Sequence, residues 1–235
     1  MLTHAQIEQG DFCLEIGSGS GKASLELAKY FTVVCGVEPS LEMCRIAKLN
    51  AGQLRNFHCI NGKVSKIERI IIKKLLKKET YMKSKPLILI TGLFHVFNYL
   101  SPNELSEIGN FAGELMEDGF QVIVAFDHWS SDIVLEHPPE ITVKKAIFEN
   151  RIVTRTIVPE YDSHRKCWNL EVRISQEGPR KILCSERHSI FVHTDSLYKS
   201  TFHSLLHFKD VAFPNKIDSS HPHSYGILKV FKSIN

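Results

Sequence analysis

Apolar residues in the first half of the chain gather into short, predominantly apolar runs, Phe12–Ile16, Phe31–Val37, Phe57–Ile60, Pro86–Thr91 and Phe120–Phe126. Between these runs, apolar positions recur at helical spacing. Runs of this length fit strands buried on both faces, and the intervening period fits helices that cover those faces. The pattern predicts a helix over 23–30 with Ala23, Leu27 and Tyr30 on its buried side, and a second helix opening at the N-cap Ser40. A third covers 66–85, and a fourth runs from Ser101 to about Glu117. In the fourth, Ser101 and Glu104 have capping-box spacing, Pro102 fills the first turn and Gly119 ends it. Strands and helices alternating in this order give a doubly wound, mostly parallel α/β sheet.

Beyond Asp127 the periodicity changes. Residues 141–191 form short runs rich in Ile, Val, Thr and aromatics, broken at Glu149–Asn150, Asp162–Ser163 and Gln176–Pro179, which predicts a meander of antiparallel strands. A helix from Asp195 to about Leu206, capped by Thr194, and a last strand over Tyr225–Phe231 follow. Pro214–Pro222 reads as the one flexible stretch, and there is no repeat or low-complexity tract. The expected organisation is an α/β core in residues 1–132, an inserted antiparallel β flap in residues 133–193, and a helix and strands in 194–235 that complete the core sheet.

Composition sets limits on this picture. With 235 residues and 43% hydrophobic content the chain can bury a sizeable core. No apolar run approaches the ~20 residues needed to span a bilayer, and no basic-then-apolar leader precedes Asp11, so a cytoplasmic protein without a membrane partner is expected. The cysteines Cys13, Cys35, Cys44, Cys59, Cys167 and Cys184 are scattered, with no C-x-x-C pair to suggest a zinc site or a disulfide framework. The net charge is +3, yet eight of the basic residues lie between Lys66 and Lys85; without that segment 21 basic residues face 24 acidic ones. Ile67, Ile70, Ile71 and Leu75, with Ile72 and Leu76 less regularly, predict one buried stripe there, opposite a solvated lysine face. A nucleic-acid footprint is the lesser reading, because Tyr81 is the only aromatic interleaved with those lysines.

The candidate chemistry begins at the end of the first strand, where Gly17, Gly19 and Gly21 alternate before a helix. Each missing Cβ opens positive φ and removes the atom that would hold a ligand off the main chain. A dinucleotide fingerprint counted from Gly17 fails at Lys22, where glycine is required. A phosphate loop fails twice: three residues rather than four separate Gly17 from Gly21, and Ala23 lacks the magnesium-binding hydroxyl. The pattern Glu-x-Gly-x-Gly-x-Gly is complete at Glu15, Gly17, Gly19 and Gly21. At the end of the second strand stands Glu38, 17 positions after Gly21, and a carboxylate there can accept both hydroxyl protons of a ribose.

Together these motifs resemble the class I S-adenosylmethionine-dependent methyltransferases, whose second strand commonly ends acid-x-Ser-x-x-Met, as Glu38, Ser40 and Met43 do here. The resemblance implies a Rossmann-like sheet with S-adenosyl-L-methionine as cofactor. Gly17 and Gly19 would lie along its methionine portion, Glu38 would hold the ribose and Met43 would cover the adenine. Asn61 follows the third strand where the family usually has Asp beside the adenine amino group, and Asn can still accept that bond. Glu15, Ser18, Gly21, Pro39, Gly62 and Leu93 complete the expected cofactor pocket.

The arrangement is similar to the small-molecule branch of that family, particularly the amino-sugar N-methyltransferases. The likeness is carried by the stretch Leu93–Leu100 after the fourth strand, by Asp127, His128 and Trp129 after the fifth, and by Glu186, Arg187 and His188 near the end of the flap. Thr91–Phe94 is not the Asn/Asp-Pro-Pro-Tyr type of tetrapeptide that nucleic-acid amino methyltransferases carry. The resemblance implies methyl transfer to a small polar acceptor, foremost an amine such as an amino sugar, bound beneath the flap. The alternatives are a protein or nucleic-acid methyltransferase docking through the Lys73–Lys78 face, and a cofactor-binding protein without turnover. Alignment can supply most of the rate, and a base is optional. His95 and His128 are the best-placed candidates, with His188 third. His203 and His207 stand four apart on the predicted C-terminal helix without the Glu of an H-E-x-x-H site, so no metal is expected. A homodimer is left open.

Overall fold

A computed structural model of the chain describes residues 1–64, 66–80, 85–129, 131, 135, 138–148, 151–176, 181–214 and 225–233. Five strands, β1 (Gly10–Ile16), β2 (Phe31–Glu38), β3 (Phe57–Asn61), β4 (Leu87–Gly92) and β5 (Gln121–His128), pair in parallel in the spatial order β3-β2-β1-β4-β5. The helices between them are α2 (Lys22–Leu27), α3 (Leu41–Ala51), α4 (Lys66–Thr80) and α5 (Pro102–Glu117), and a short α1 (Leu2–Ala5) precedes β1. After β5 the chain forms a separate four-stranded antiparallel sheet from β6 (Thr142–Phe148), β7 (Arg151–Asp162), β8 (Cys167–Gln176) and β9 (Lys181–Phe191). It then returns through α6 (Asp195–Thr201) to β10 (Leu206–Pro214) and β11 (Tyr225–Lys232). β11 pairs antiparallel with β5 and β10 antiparallel with β11, which completes a seven-stranded sheet. Among the described residues no helix is long and apolar enough to cross a membrane.

The two-residue alternation of β1 explains why helices cover both faces. Phe12, Leu14 and Ile16 join the apolar cluster that holds Ile72 of α4, Leu105, Ile108 and Phe111 of α5, and Tyr198 of α6. Cys13 points the other way, into the cluster with Ala5, Leu27 and Ala47 of α1, α2 and α3. On the first face, Phe126 of β5 stacks on Phe97 with ring centroids 4.0 Å apart and packs against Phe202 and Phe231. Each fully buried phenylalanine of this kind contributes about 1.5–3 kcal/mol through area removed from water.

Three elements differ from the sequence reading. α2 ends at Leu27, and Tyr30 is exposed, because Tyr30 N donates to Leu27 O in a tight turn that delivers the chain into β2. In α4 the buried positions are Arg69, Ile72 and Leu76, while Ile70 and Ile71 are exposed; the side chain of Ile67 lies outside the described residues. Arg69 sets this rotation by pairing with Glu107 and Glu114 on α5, and Lys73 follows it to Glu114 and Asp118, both at 3.0 Å. At the end of the chain, the helix expected to reach Leu206 stops at Thr201 and a strand, β10, takes its place. Lys229 of β11, 1% exposed, makes this segment cohere: its Nζ lies 3.0 Å from Asp195 of α6 and 3.1 Å from Asp210 of β10. His203 and His207 therefore share no helix, and His207 instead bonds Asp210 at 2.8 Å. The expected breaks at 149–150 and 177–179, Tyr81 and the stretch 215–222 lie outside the described residues.

The four-stranded sheet is clasped to the core by a short 3-10 turn, Val96–Tyr99, that follows β4. Asn98 is fully buried in it. Its Nδ2 donates to Phe191 O at the end of β9, at 3.1 Å, and its Oδ1 accepts from Trp129 N just beyond β5, at 2.9 Å. Buried His193 adds a contact between its Nε2 and Leu100 O at 2.9 Å. Truncating Asn98 would leave a buried N–H and a buried carbonyl without partners, at about 1–3 kcal/mol each. We expect Asn98→Ala to lower the free energy of unfolding by roughly 2–4 kcal/mol, measured by urea denaturation with far-UV circular dichroism.

Candidate cofactor and acceptor site

The site is built on the turn between β1 and α2. Gly17, Gly19 and Gly21 all have positive φ, at 66°, 54° and 78°, a region that costs any residue with a Cβ. Gly17 N and Ser18 N both donate to Val37 O, at 2.8 and 3.3 Å, which lashes the turn to β2. A Cβ on Gly17 would stand 2.8 Å from a methyl of Val96, whereas one on Gly19 would meet nothing within 4 Å. The main chain at Gly19 thus borders open space, as a ligand-facing loop requires.

Glu15 does not share that space. Alternation along β1 sends Ile16 toward the cavity and turns Glu15 to the opposite face, where Ser24 Oγ donates to its carboxylate. Gly36 on β2 makes room for this arrangement: a Cβ there would lie 2.6 Å from Ser18 Oγ and 3.3 Å from Ser24 Oγ. Burial raises the Glu15 pKa to about 7, against the pull of the Ser24 hydrogen bonds. Glu15 and Ser18 are therefore supports beneath the loop, and neither lines the cavity.

Glu38 closes β2 and joins the loop to α3. Its Oε2 accepts from Gly19 N at 2.9 Å and its Oε1 from Ser40 N at 2.8 Å, and each oxygen keeps a lone pair. Asn61 buttresses the same corner, donating through Nδ2 to Glu38 O and Pro39 O at 3.0 Å each. Ser40 caps α3 by accepting from Met43 N, and the side chain of Met43 is 43% exposed.

A cavity of about 580 Å³ opens at this corner, within the size range of small-molecule and cofactor sites. Of the residues read from the sequence, Gly17, Glu38, Pro39 and Gly62 line it. Gly19, Gly21, Met43, Asn61 and Leu93 do not. Its apolar walls come from Ile16, Val37, Val64, Val96, Leu100 and Ile108, and its further polar groups are Lys63, Tyr99, Glu104 and Glu107. The contribution of α5 went unread because it depends on how α5 packs. The capping box at Ser101 and Glu104, which fixes where that helix starts, was its only local trace.

The three candidate histidines separate clearly. His128 is fully buried against Phe126 and Tyr198, its Nδ1 lies 2.9 Å from Trp129 O, and it does not reach the cavity. Burial lowers its pKa to about 4 despite that carbonyl, so its ring is neutral at neutral pH. His95 has left-handed backbone, donates its N–H to Asp127 Oδ1 at 3.2 Å, places its ring Nδ1 3.4 Å from Asp127 Oδ2, and stacks on Trp129 with centroids 4.4 Å apart. His188 lies on β9 with its side chain 43% exposed, 3.3 Å from Glu186, and meets the ring of Tyr99 edge-on. Because Tyr99 lines the cavity, His188 is the histidine that connects the four-stranded sheet to it.

The chain is similar to known methyltransferases. Residues 14–70, which span the glycine turn, Glu38 and β3, match the family described as Methyltransferase domain. A 61-residue stretch is 38% identical to an rRNA adenine N-6-methyltransferase of Limosilactobacillus reuteri, and this stretch is 26% of the present chain and about a quarter (25%) of that relative's length. Among solved structures, an S-adenosylmethionine-dependent methyltransferase from Clostridium acetobutylicum superposes with a TM-score of 0.68 at 14% identity, over 100% of this chain and 88% of that one. The structure of SAM-bound CalS10, an amino pentose methyltransferase from Micromonospora echinaspora, superposes with a TM-score of 0.59 at 15% identity, over 97% of this chain and 86% of that one. The chain has the fold of the class I S-adenosylmethionine-dependent methyltransferases.

The buried carboxyl beneath the loop yields a prediction. An acid whose folded pKa is raised from an ordinary ~4.3 to about 7 binds its proton more tightly in the folded state, so folding stability is greatest below the unfolded value and falls as pH rises through that window. Between pH 4.5 and 7.5 the protein is expected to lose on the order of 3 kcal/mol from this group. Glu15→Gln should flatten that part of a stability-against-pH profile measured by urea titration.

Proposed function

We propose that this protein transfers a methyl group from S-adenosyl-L-methionine to a small polar acceptor, foremost an amine such as an amino sugar. The observation that carries this reading is the union, in one cavity, of a positive-φ glycine turn with Glu38, whose two oxygens are fixed by backbone N–H groups yet keep lone pairs for a ribose diol. In this reading Gly17 and, at the open edge of the loop, Gly19 follow the methionine portion, Glu38 holds the sugar, and Pro39 and Gly62 border the nucleoside, with Met43 outside the cavity wall. When bound, the cofactor supplies an electrophilic methyl on a sulfonium centre. The task of the chain is alignment, which in well-oriented reactions is worth about 7–11 kcal/mol.

Residues 133–193 would act as the flap over the acceptor. His188, at the junction with Tyr99, is the group best suited to receive the proton that an amine sheds after methylation. His95 would position the turn after β4 through Asp127 and Trp129, and His128 would serve packing. The relative described as an amino pentose methyltransferase supports the acceptor class by likeness of fold along nearly the whole chain. The rRNA methyltransferase relative favours a nucleic-acid acceptor, but over only about a quarter of each chain. Against that reading, Arg69 and Lys73 of the basic helix are already paired with acids of α5. Cytoplasmic residence goes with the same proposal.

Thermal-shift and calorimetric titration test the cofactor. S-adenosylhomocysteine should bind and stabilise the protein, and Glu38→Ala should weaken that binding by roughly 1.5–3 kcal/mol. Stabilisation by NADH or ATP alone would overturn the reading. Incubation with radiolabelled cofactor and a panel of amino sugars then tests the acceptor. Labelled product is expected from the amine panel, whereas cofactor binding without transfer to it or to hydroxyl controls would mark a binding protein.

A further inference from the structure

Lys63, just after β3, and Glu104, in the first turn of α5, face each other with Lys63 Nζ 2.8 Å from Glu104 Oε1, and both line the cavity that Glu38 lines. The side chain of Lys63 is 69% exposed and that of Glu104 34%, so the pair by itself contributes little, about 0–1 kcal/mol. Here Glu104 is held in place from its other side: its Oε2 accepts from Ser101 N and from Ser101 Oγ, both at 2.8 Å, as the returning half of the capping box. Burial raises its pKa, but Lys63 and Ser101 outweigh burial and keep the carboxyl below its usual range, so it is ionised at neutral pH.

The other cavity carboxylates are committed elsewhere. Glu38 serves the corner of the glycine loop, and Glu107 pairs with Arg69. The Lys63–Glu104 pair therefore offers an acceptor and a donor side by side, with capacity left on both: a second lone pair on Oε1 and two further N–H groups on the ammonium. The remaining wall, with Val64, Leu100 and Ile108, is apolar and suits the faces of a flat heterocycle. Adenine presents on one edge an exocyclic N–H donor beside a ring-nitrogen acceptor, whereas a 6-oxo purine presents an acceptor where adenine has its amine. Asn61, the position first expected to read that amine, donates through Nδ2 to the carbonyls of Glu38 and Pro39 and is not among the residues that line the cavity.

We propose that the Lys63–Glu104 pair is the base-reading element of the cofactor site, with Glu104 Oε1 accepting from the exocyclic amine of adenine and Lys63 Nζ donating to the adjacent ring nitrogen. The proposal rests on the S-adenosylmethionine reading and adds that base selectivity comes from a pair formed between the residue beyond the end of β3 and the start of α5.

The test is calorimetry on the full chain with S-adenosylhomocysteine and its 6-oxo analogue S-inosylhomocysteine. The unaltered protein should prefer the adenine compound at least about tenfold, the equivalent of one hydrogen bond to a charged group. Glu104→Gln keeps a residue competent for the capping box, and a retained unfolding midpoint would establish that the fold is intact. Its amide can accept from the amine or donate to the 6-oxo group, so affinity for S-adenosylhomocysteine should fall about tenfold and the preference should shrink to about twofold. Lys63→Met should weaken both compounds. Equal affinity of the unaltered protein for the two compounds would overturn the assignment, as would an undiminished preference in Glu104→Gln, while leaving the cofactor reading standing. Failure of the unaltered protein to bind either compound would remove both.

Discussion

The grip of two backbone N–H groups on the Glu38 carboxylate is the contact around which the rest of the site is arranged. It fixes the tip of the glycine turn at Gly19 to the end of β2 and the start of α3 at Ser40, so three elements meet at one side chain. The grip is feasible because positive φ at alternate glycines points the Gly19 N–H inward, and because Gly36 leaves space for Ser18 and Ser24 below. Charge-assisted bonds to backbone are roughly twice as strong as neutral ones, so this corner is preorganised without help from a ligand.

Around that corner the protein spends its buried polar groups on joints. Asn98 and His193 attach the four-stranded sheet to the turn after β4, and Lys229 ties α6 to β10 and β11. Arg69 and Lys73 bind α4 to α5. Each joint ties separate elements together through a side chain whose partners lie on another element.

What could be read from the sequence was whatever has a local cause. Apolar runs gave β1 to β5, and Ser40 and Ser101 marked helix starts that the hydrogen bonds bear out. Alternating Ile, Val and Thr gave the antiparallel meander. The sequence reading went astray where a distant partner decides. The rotation of α4 follows Arg69 and its acids on α5, and three isoleucines in a row leave periodicity unable to choose a face. β10 exists because β11 offers it an edge and Lys229 a counter-charge, neither visible from residues 195–206. In the site, Gly17, Glu38, Pro39 and Gly62 were legible as strand-end residues. Lys63 and Glu104 meet only once the sheet is assembled, 41 residues apart. For Glu15 the alternation of β1 already held the answer, since neighbours on a strand face opposite ways.

The turn Val96–Tyr99 has a double attachment. Val96 and Tyr99 line the cavity, while Asn98, between them, holds the end of β9. A molecule that displaces the first two residues therefore pulls on the strand carrying His188, through a linkage of a single residue. With so short a lever, occupancy of the cavity and the placement of the four-stranded sheet would be thermodynamically linked, each biasing the other by the same free energy.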